Sequence, residues 1–360
     1  MWELIRIQKM IDINNISFDL ENISTSDELF SLSFMHSQAW LKFLYHNYKH
    51  LLILKNTEYK IVWPLQLVST HFGKILWGRH LLLSRDARNN LSAILTSLAK
   101  FLKHDVKKSE YLDAIGIRLH FRSLCLKNDI LSRYLCSNGH NWYDSFYQWH
   151  VSPIHEIDFE RTIIIDLRKK FNFSNIVIRT LKKSNKLGFE VNLSNSKHEI
   201  CKFYDLYRLM FKRKGFNGAS KNYICNQYLY LKRANQAYLL WVNKNKKKFY
   251  GAIYLTDPTN KVAYYVHGAG KYNPKIAFGY VIHFYAINLF REMQFNYVDL
   301  GGVGPYNVKH PLYKNSIIKK RFGGSTYKFW HAIELPLSYK WYLYGVNSYL
   351  KNLVKGWYKE

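Results

Sequence analysis

The sequence predicts an α+β protein built of two successive lobes, each around a mixed, largely antiparallel sheet. Three observations carry this. In the second half, the apolar segments 237–242, 249–256 and 261–267 follow one another across the turn sequences NKNKKK and DPTN, the pattern of an antiparallel meander. An apolar-striped helix over 278–293 and a strand over 295–300, ending at Gly301-Gly302, come next. The first half shows a comparable order of helices and short strands, and no low-complexity tract or glycine-serine linker divides the chain.

Taken in order, residues 35–48 (MHSQAWLKFLYHNY) place Trp40, Phe43 and Leu44 on one helical face. Strands follow at 51–54 and 61–68, separated by the polar KNTEYK, and a shorter one at 75–78. Residues 90–103 repeat Leu91, Ile94, Leu95, Leu98 and Leu102 at helical spacing, and 111–119 returns to strand composition. In the second half, 162–167 (TIIIDL) reads as a strand, and 175–187 and 200–214 read as helices ahead of the meander. The tail, 338–359, carries Tyr342, Val346, Tyr349, Leu350, Leu353 and Trp357 on one helical stripe, with Lys340, Lys351 and Lys355 elsewhere.

The 360 residues are enough for two ordinary domains, and 48% hydrophobic with 17% aromatic content fills substantial cores. Fifty-three Lys and Arg against 25 Asp and Glu leave a formal net charge of +28. Such an excess favours a polyanionic partner, although an AT-rich codon bias produces the same composition. Between residues 168 and 214 there are 13 Lys and Arg against Glu190, Glu199 and Asp205, a density that suits a phosphate backbone. Lys244, Lys246, Lys247 and Lys248 fall on the expected hairpin tip, where a solubilising role suffices. Four scattered cysteines (Cys125, Cys136, Cys201, Cys225) without a CxxC pair argue against a disulfide framework or structural zinc and suit a reducing cytosol. No apolar run reaches membrane-spanning length, and the N-terminus lacks a signal-like core. Fifteen histidines form no HExxH pair, so no metal is expected, and His267 and His283 read as packing residues. No GxSxG nucleophile motif is present.

Two segments bear on chemistry. Asp299-Leu-Gly-Gly-Val-Gly-Pro sets a carboxylate and three glycines just past a strand; it is a close-approach cradle or simply a tight exit capped by Asp299. Ile317-Ile-Lys-Lys-Arg-Phe-Gly-Gly reads as a basic turn that can aim an ammonium at a developing oxyanion, or as a solvated charge run.

The order of these segments resembles the FemABX aminoacyltransferases, which attach amino acids to peptidoglycan precursors using aminoacyl-tRNA. Residues 36–43 (HSQAWLKF) are similar to the family's Gln-Ser-x-x-Trp helix, and 163–188 to its Asp-Leu strand and basic helix. Residues 203–216 resemble the helix whose arginine, here Arg213, lies near acceptor phosphates. The tyrosine-rich strand at 263–274, the Tyr-x-Asp-x-Gly-Gly exit at 295–302 and IKKRFG at 318–323 complete the set. Some positions depart: the family's substrate-binding lysine falls near Phe43, where the nearest lysine is Lys42; Leu119-His120 stands where an Asp is common; and Ile318 replaces an aromatic.

The resemblance implies two acetyltransferase-like (GNAT) lobes in the compact form without a coiled-coil arm. Residues 1–155 form the first, completed by a docked C-terminal helix at 331–360, and 156–330 form the second with the cleft. It implies direct transfer to an amine with the donor held between the lobes, Lys319 stabilising the oxyanion and Asp299 shaping the cleft with Gly301 and Gly302. Tyr264 and Tyr265 would line that cleft, while Arg213, Lys42 and Trp40 would bind the acceptor. No cofactor is expected. The partners are tRNA as donor and a phosphate-bearing envelope precursor, in the cytoplasm at the inner face of the membrane, with peripheral membrane contact through the tail as an option. The runner-up is an acyl-CoA N-acyltransferase acting on an amino sugar, although 271–279 (KYNPKIAFG) lacks the Arg-x-x-Gly-x-Gly/Ala loop that cradles pyrophosphate. A non-catalytic RNA- or membrane-binding protein is the third reading.

Overall fold

The computed structural model describes residues 1–16, 33–48, 51–106, 114–122, 145–146, 149–151, 160–194, 196, 198–215, 218–304 and 307–354. Cys125, Cys136, Lys197, Phe216, Pro305, Lys355 and Trp357, together with 111–113 of the fourth expected strand, lie outside them. The chain divides into two compact units. One comprises Met1–Glu160, Lys309–Pro311 and Tyr327–Glu360; the other comprises Arg161–Val308 and Leu312–Thr326.

The strands of the first unit are β1 (Trp2–Arg6), β2 (Leu51–Asn56), β3 (Ile61–Thr70), β4 (Gly73–Leu81), β5 (Ala114–Phe121), β6 (Ser145–Phe146) and β7 (Trp149–Val151). Its helices include α1 (Gln38–Tyr48), α2 (Arg85–Asn89) and α3 (Leu91–Lys100). The second unit contributes β8 (Arg161–Asp166), α4 (Asn175–Lys186), β9 (Glu190–Leu193), α5 (Glu199–Lys214), α6 (Lys221–Arg233), β10 (Ala237–Lys244), β11 (Lys247–Asp257) and β12 (Val262–Gly270). It continues through α7 (Phe278–Glu292), β13 (Tyr297–Gly302) and α8 (Tyr313–Lys320) into the first two residues of β14 (Ser325–Lys328). The chain then adds β15 (Ile333–Pro336) and α9 (Lys340–Val354).

The first sheet runs β1-β2-β3-β4-β5-β15-β7-β6, antiparallel except for the parallel β4/β5 pair. Its core is built on the α3 stripe Leu91, Ile94, Leu95 and Leu98 against Trp63, Trp149 and Trp330. Two of these buried indoles find acceptors, Trp63 Nε1 donating to Leu82 O at 2.7 Å and Trp149 Nε1 to Leu95 O at 2.9 Å, which offsets the cost of taking their N–H groups out of water.

The second sheet runs β14-β8-β13-β12-β11-β10-β9. The β10/β11 hairpin closes on Asn245 and Lys246, both with positive φ (48° and 62°), the geometry that matches strand twist in a two-residue turn. Asp257 Oδ1 accepts from Thr259 N and Asn260 N and so shapes the β11/β12 turn. On one face α7 buries Phe278, Ile282, Ala286 and Phe290 against Ala252 and Tyr254. On the other, Phe203 of α5 sits over Gly251, where an added Cβ would lie 2.8 Å from its ring.

Several local expectations need correction. Lys247 and Lys248 belong to β11, and Lys248 ion-pairs with Glu199 while lying 4.3 Å over the Trp241 ring, so it does more than solubilise a tip. The basic turn expected at 317–320 is the end of α8. Helix α6 has no counterpart among the expected elements, although Ser220 caps it through Tyr223 N at 3.2 Å and Ile224, Gln227, Tyr228 and Leu231 face inward at helical spacing. In α9 only Trp341 and Gly345 are buried; the predicted stripe of Tyr342, Val346, Leu350 and Leu353 is exposed.

Candidate active site

Parallel β12 and β13 pair at Val262↔Tyr297, Ala263↔Val298 and Tyr264↔Asp299, and their pairing ends there. Each strand runs on, β12 beside β11 to Gly270 and β13 beside β8 to Gly302, so the two diverge. A register shift between Ile253 and Tyr254 sets Ile253 opposite His267 but Tyr254 opposite Tyr265. Such a bulge re-aims side chains. Tyr265 meets His283 of α7 at 4.5 Å between ring centroids, whereas His267 faces α5 and α6, hydrogen-bonding Gln227 at 2.8 Å. Two glycines make room. A Cβ on Gly268 would stand 1.9 Å from Tyr265 Oη, and one on Gly270 would stand 2.4 Å from the Tyr250 ring.

Lys319 reaches this divergence from the last turn of α8. Its Nζ donates to the Gly302 carbonyl at 2.6 Å and lies 5.6 Å from the centroid of the Tyr265 ring, with the residue only 8% exposed. The ammonium therefore touches the end of one diverging strand and a side chain of the other. Ser316 fixes the helix in place: its Oγ accepts from Gly304 N at 2.9 Å and donates to Leu312 O at 2.9 Å. Behind Lys319, Phe322 is buried against His283 and Tyr280.

Asp299 is 2% exposed, and its Oδ1 accepts from Thr162 Oγ1 and, at 2.7 Å, from Gly301 N. It organises the strand exit. Gly301 takes φ 71°, within the irregular stretch between the Asp299 and Gly302 pairings, a conformation that favours glycine. This turn presents the Gly302 carbonyl to Lys319.

His283 Nδ1 pairs with Tyr254 Oη at 2.6 Å. Burial, and then the charge of Lys319, push its pKa down to about 3, so the ring is neutral at neutral pH. Burial also drives the Tyr254 and Tyr265 phenols well above their usual values, keeping both as neutral hydrogen-bonding groups.

The other predicted residues do not line the space beside Lys319 as expected, although Tyr264 pairs with Asp299 at the last β12/β13 position. Tyr264 is 5% exposed, a core position. Arg213 is exposed at the end of α5. Next to it, Lys214 is held below its usual pKa by desolvation first, then by the charges of Arg213 and Lys314, so these three cations form one cluster. Lys42 is half-buried in α1 of the first unit. Trp40 corrects the sequence expectation: at 2% exposed and packed on Phe34 and Phe43, it offers a ligand no surface and is a packing residue. Sequence reasoning missed His283, Tyr254 and Lys314 as members of these groups, since α7 and the bulge meet Lys319 only in three dimensions.

Two surface features lie apart from this cluster. Arg179, Lys182, Lys183 and Lys186 recur at helical spacing along α4 and are all exposed. In the loop before α7, Asn273 Oδ1 accepts from Lys275 N at 2.8 Å and Ile276 N at 3.3 Å. Those two amides are thereby turned onto the protein itself.

No protein-family model matches the sequence, and no curated protein matches it by sequence. Solved structures do match over nearly its whole length. FemX superposes with a TM-score of 0.65 at 13% identity, covering 96% of this chain and 100% of the other. L-PGS from Bacillus licheniformis follows with a TM-score of 0.54 at 10% identity, covering 98% of each chain. A tandem GNAT protein from the clavulanic acid biosynthesis pathway gives 0.53 at 10% identity, with 94% of this chain and 99% of that one covered. The chain thus has a FemX-like tandem GNAT fold, as its sequence resemblance implied.

Proposed function

We propose that this protein is an acyltransferase that passes an aminoacyl group from aminoacyl-tRNA to an amine of a phosphate-bearing cell-envelope precursor at the cytoplasmic side of the membrane. The observation that carries the reading is Lys319, a buried ammonium held where β12 and β13 part. A donor carbonyl bound there would meet a preorganised cation in a largely water-excluded setting, the arrangement that stabilises a tetrahedral oxyanion.

In this reading the acceptor amine attacks the ester carbonyl of the donor. The new C–N bond forms as the carbonyl oxygen takes up negative charge beside Lys319 Nζ. Collapse of the intermediate breaks the C–O bond to the ribose, and the proton lost by the amine leaves on that ribose oxygen. No covalent enzyme intermediate is required. The Tyr265 ring and the Gly302 carbonyl hold the ammonium in position, with Asp299 and Gly301 setting the carbonyl. Arg213, with Lys214 and Lys314 beside it, is suited to orient an acceptor phosphate. The exposed cations of α4 suit a tRNA backbone.

Asn273 favours tRNA over acyl-CoA as donor. A pyrophosphate cradle at a helix N-terminus needs backbone amides pointing at the ligand, and ahead of α7 two of them are spent on Asn273. The test offers the purified protein radiolabelled aminoacyl-tRNA and acetyl-CoA in turn, with an envelope-precursor fraction. Label should pass to the precursor from the tRNA alone. Transfer from acetyl-CoA alone would replace the donor assignment, and transfer from neither would remove the enzymatic reading.

A further inference from the structure

We propose that α9 docks the protein onto the surface of an anionic lipid bilayer through the face it turns to solvent. Helix α9 is amphipathic in the reverse of the usual sense. The side toward its own unit is fixed by Trp341, whose ring covers Gly116 so closely that a Cβ there would lie 2.0 Å from it. Tyr344 adds a contact to Arg118, which is itself paired with the buried Glu334. On a helical wheel six large apolar residues fall on the opposite side, with Tyr349 half-buried at its edge. Tyr342, Leu343, Val346, Leu350, Leu353 and Val354 are 51%, 53%, 52%, 53%, 47% and 88% exposed. At 100° per residue they occupy one stripe about 120° wide, centred roughly opposite Trp341.

That stripe, with Tyr339 just ahead of it at 72%, supplies seven of the 15 large hydrophobic side chains exposed among the described residues. Isolated exposed apolar residues are ordinary, but a contiguous stripe on one helix marks an interaction surface.

Charge decides between partners. Lys340 and Lys351 border the stripe on one flank, and residues 338–359 contain no Asp or Glu. A second copy of this chain would bring the same cations, and the same net charge of +28, against them. An anionic bilayer instead accepts the apolar face into its interfacial zone and attracts the lysines, and tyrosines at the stripe's margin suit the headgroup level. This surface is independent of the transfer chemistry at Lys319.

Co-sedimentation of the full chain with vesicles of phosphatidylglycerol and phosphatidylcholine, or of phosphatidylcholine alone, tests the assignment. Binding is expected to the anionic vesicles and to weaken with added salt. The double variant Val346→Glu, Leu350→Glu should lower the partition coefficient by roughly tenfold or more. Its melting temperature should be retained because both side chains are exposed. Lys340→Gln with Lys351→Gln should reduce the preference for anionic lipid while leaving the apolar contribution. Equal binding by the Val346/Leu350 variant would overturn the proposal, as would no vesicle binding by the wild type. So would a wild-type dimer, measured by light scattering, that the same variant abolishes. Aminoacyl transfer to a water-soluble acceptor should be the same in the wild type and the Val346/Leu350 variant, so loss of transfer in both would count against the function proposed above and leave the membrane face untouched.

Discussion

Replacing Lys319 with methionine keeps the length and most of the volume of the side chain while deleting the charge that Gly302 O and the Tyr265 ring now hold. Two quantities should move differently. The charged hydrogen bond to Gly302 contributes on the order of 1.5–3 kcal/mol to folding. Against it stands the cost of keeping an ammonium in a site only 8% exposed, several kcal/mol by general experience with buried ions. The two largely offset each other, so the melting temperature should hold or rise slightly. In the proposed reaction catalysis has no such compensation: removing the donor to an oxyanion should lower turnover by roughly 10²–10³-fold, about 2.7–4 kcal/mol of transition-state stabilisation. A third readout is local. Lys319 is the second cause of the depressed His283 pKa, after burial, so the variant should show His283 titrating higher by NMR. The assay is single-turnover transfer from labelled aminoacyl-tRNA, read beside thermal melts of both proteins. A variant that transfers at near-wild-type rates refutes the role of Lys319. A variant that loses rate and melting temperature together would mean that Lys319 supports the fold and not the reaction.

Transfer should fall steeply with ionic strength. Alanine at Arg179, Lys182, Lys183 and Lys186 should flatten the log–log salt slope by roughly one for each cation–phosphate pair removed, measured by filter binding of tRNA. Acid should destabilise the second unit through His283 and His267, whose pKa values burial lowers from 6.5 to about 3 and about 4. Their neutral forms carry no penalty above pH 6.5. The cost grows as pH falls, because the unfolded chain takes up the protons first, and reaches about 2 kcal/mol for each ring near pH 5. Urea melts between pH 7 and 5 on the wild type and His283→Gln should show the variant with the shallower pH dependence. Gly268→Ala forces a methyl against Tyr265 Oη, so it should displace that ring and lower kcat by more than it raises KM.

The fold was largely legible because its signals are local. The meander 237–267 announces itself through β-rich runs and turn chemistry, and Asn245 and Lys246 adopt the positive φ that a two-residue hairpin needs. The α3 stripe of leucines buries as its spacing predicts. Failures occurred where two readings fit one pattern. The lysines of IKKRFG look like a turn by composition, yet Ser316 and Leu312 start a helix that carries Lys319 inward. The tail stripe is correctly periodic, but periodicity does not say which side faces the core. A single large ring, Trp341 over a glycine of β5, fixes the helix by the side away from that stripe.

The candidate site was legible only in its parts, and the reason lies in how it is assembled. Gly301-Gly302 and Lys319 can be read from the sequence as a strand exit and a basic segment, but neither implies the other. What joins them is the point at which β12 and β13 stop pairing, a property of register that depends on the bulge at Ile253/Tyr254 and on the turn that Asp299 holds. The same bulge sends Tyr265 toward His283 and His267 toward Gln227, so that of two polar aromatic residues two positions apart only one stands beside the ammonium. A histidine there must remain uncharged, since an imidazolium beside Lys319 would add a second buried cation. Burial and Lys319 together enforce this by driving its pKa to about 3. His283 is thus better suited to hold Tyr254 and Tyr265 in place than to carry protons at neutral pH. In the proposed reaction, the acceptor amine would therefore lose its proton to the substrate's own leaving oxygen, or to a group outside this cluster.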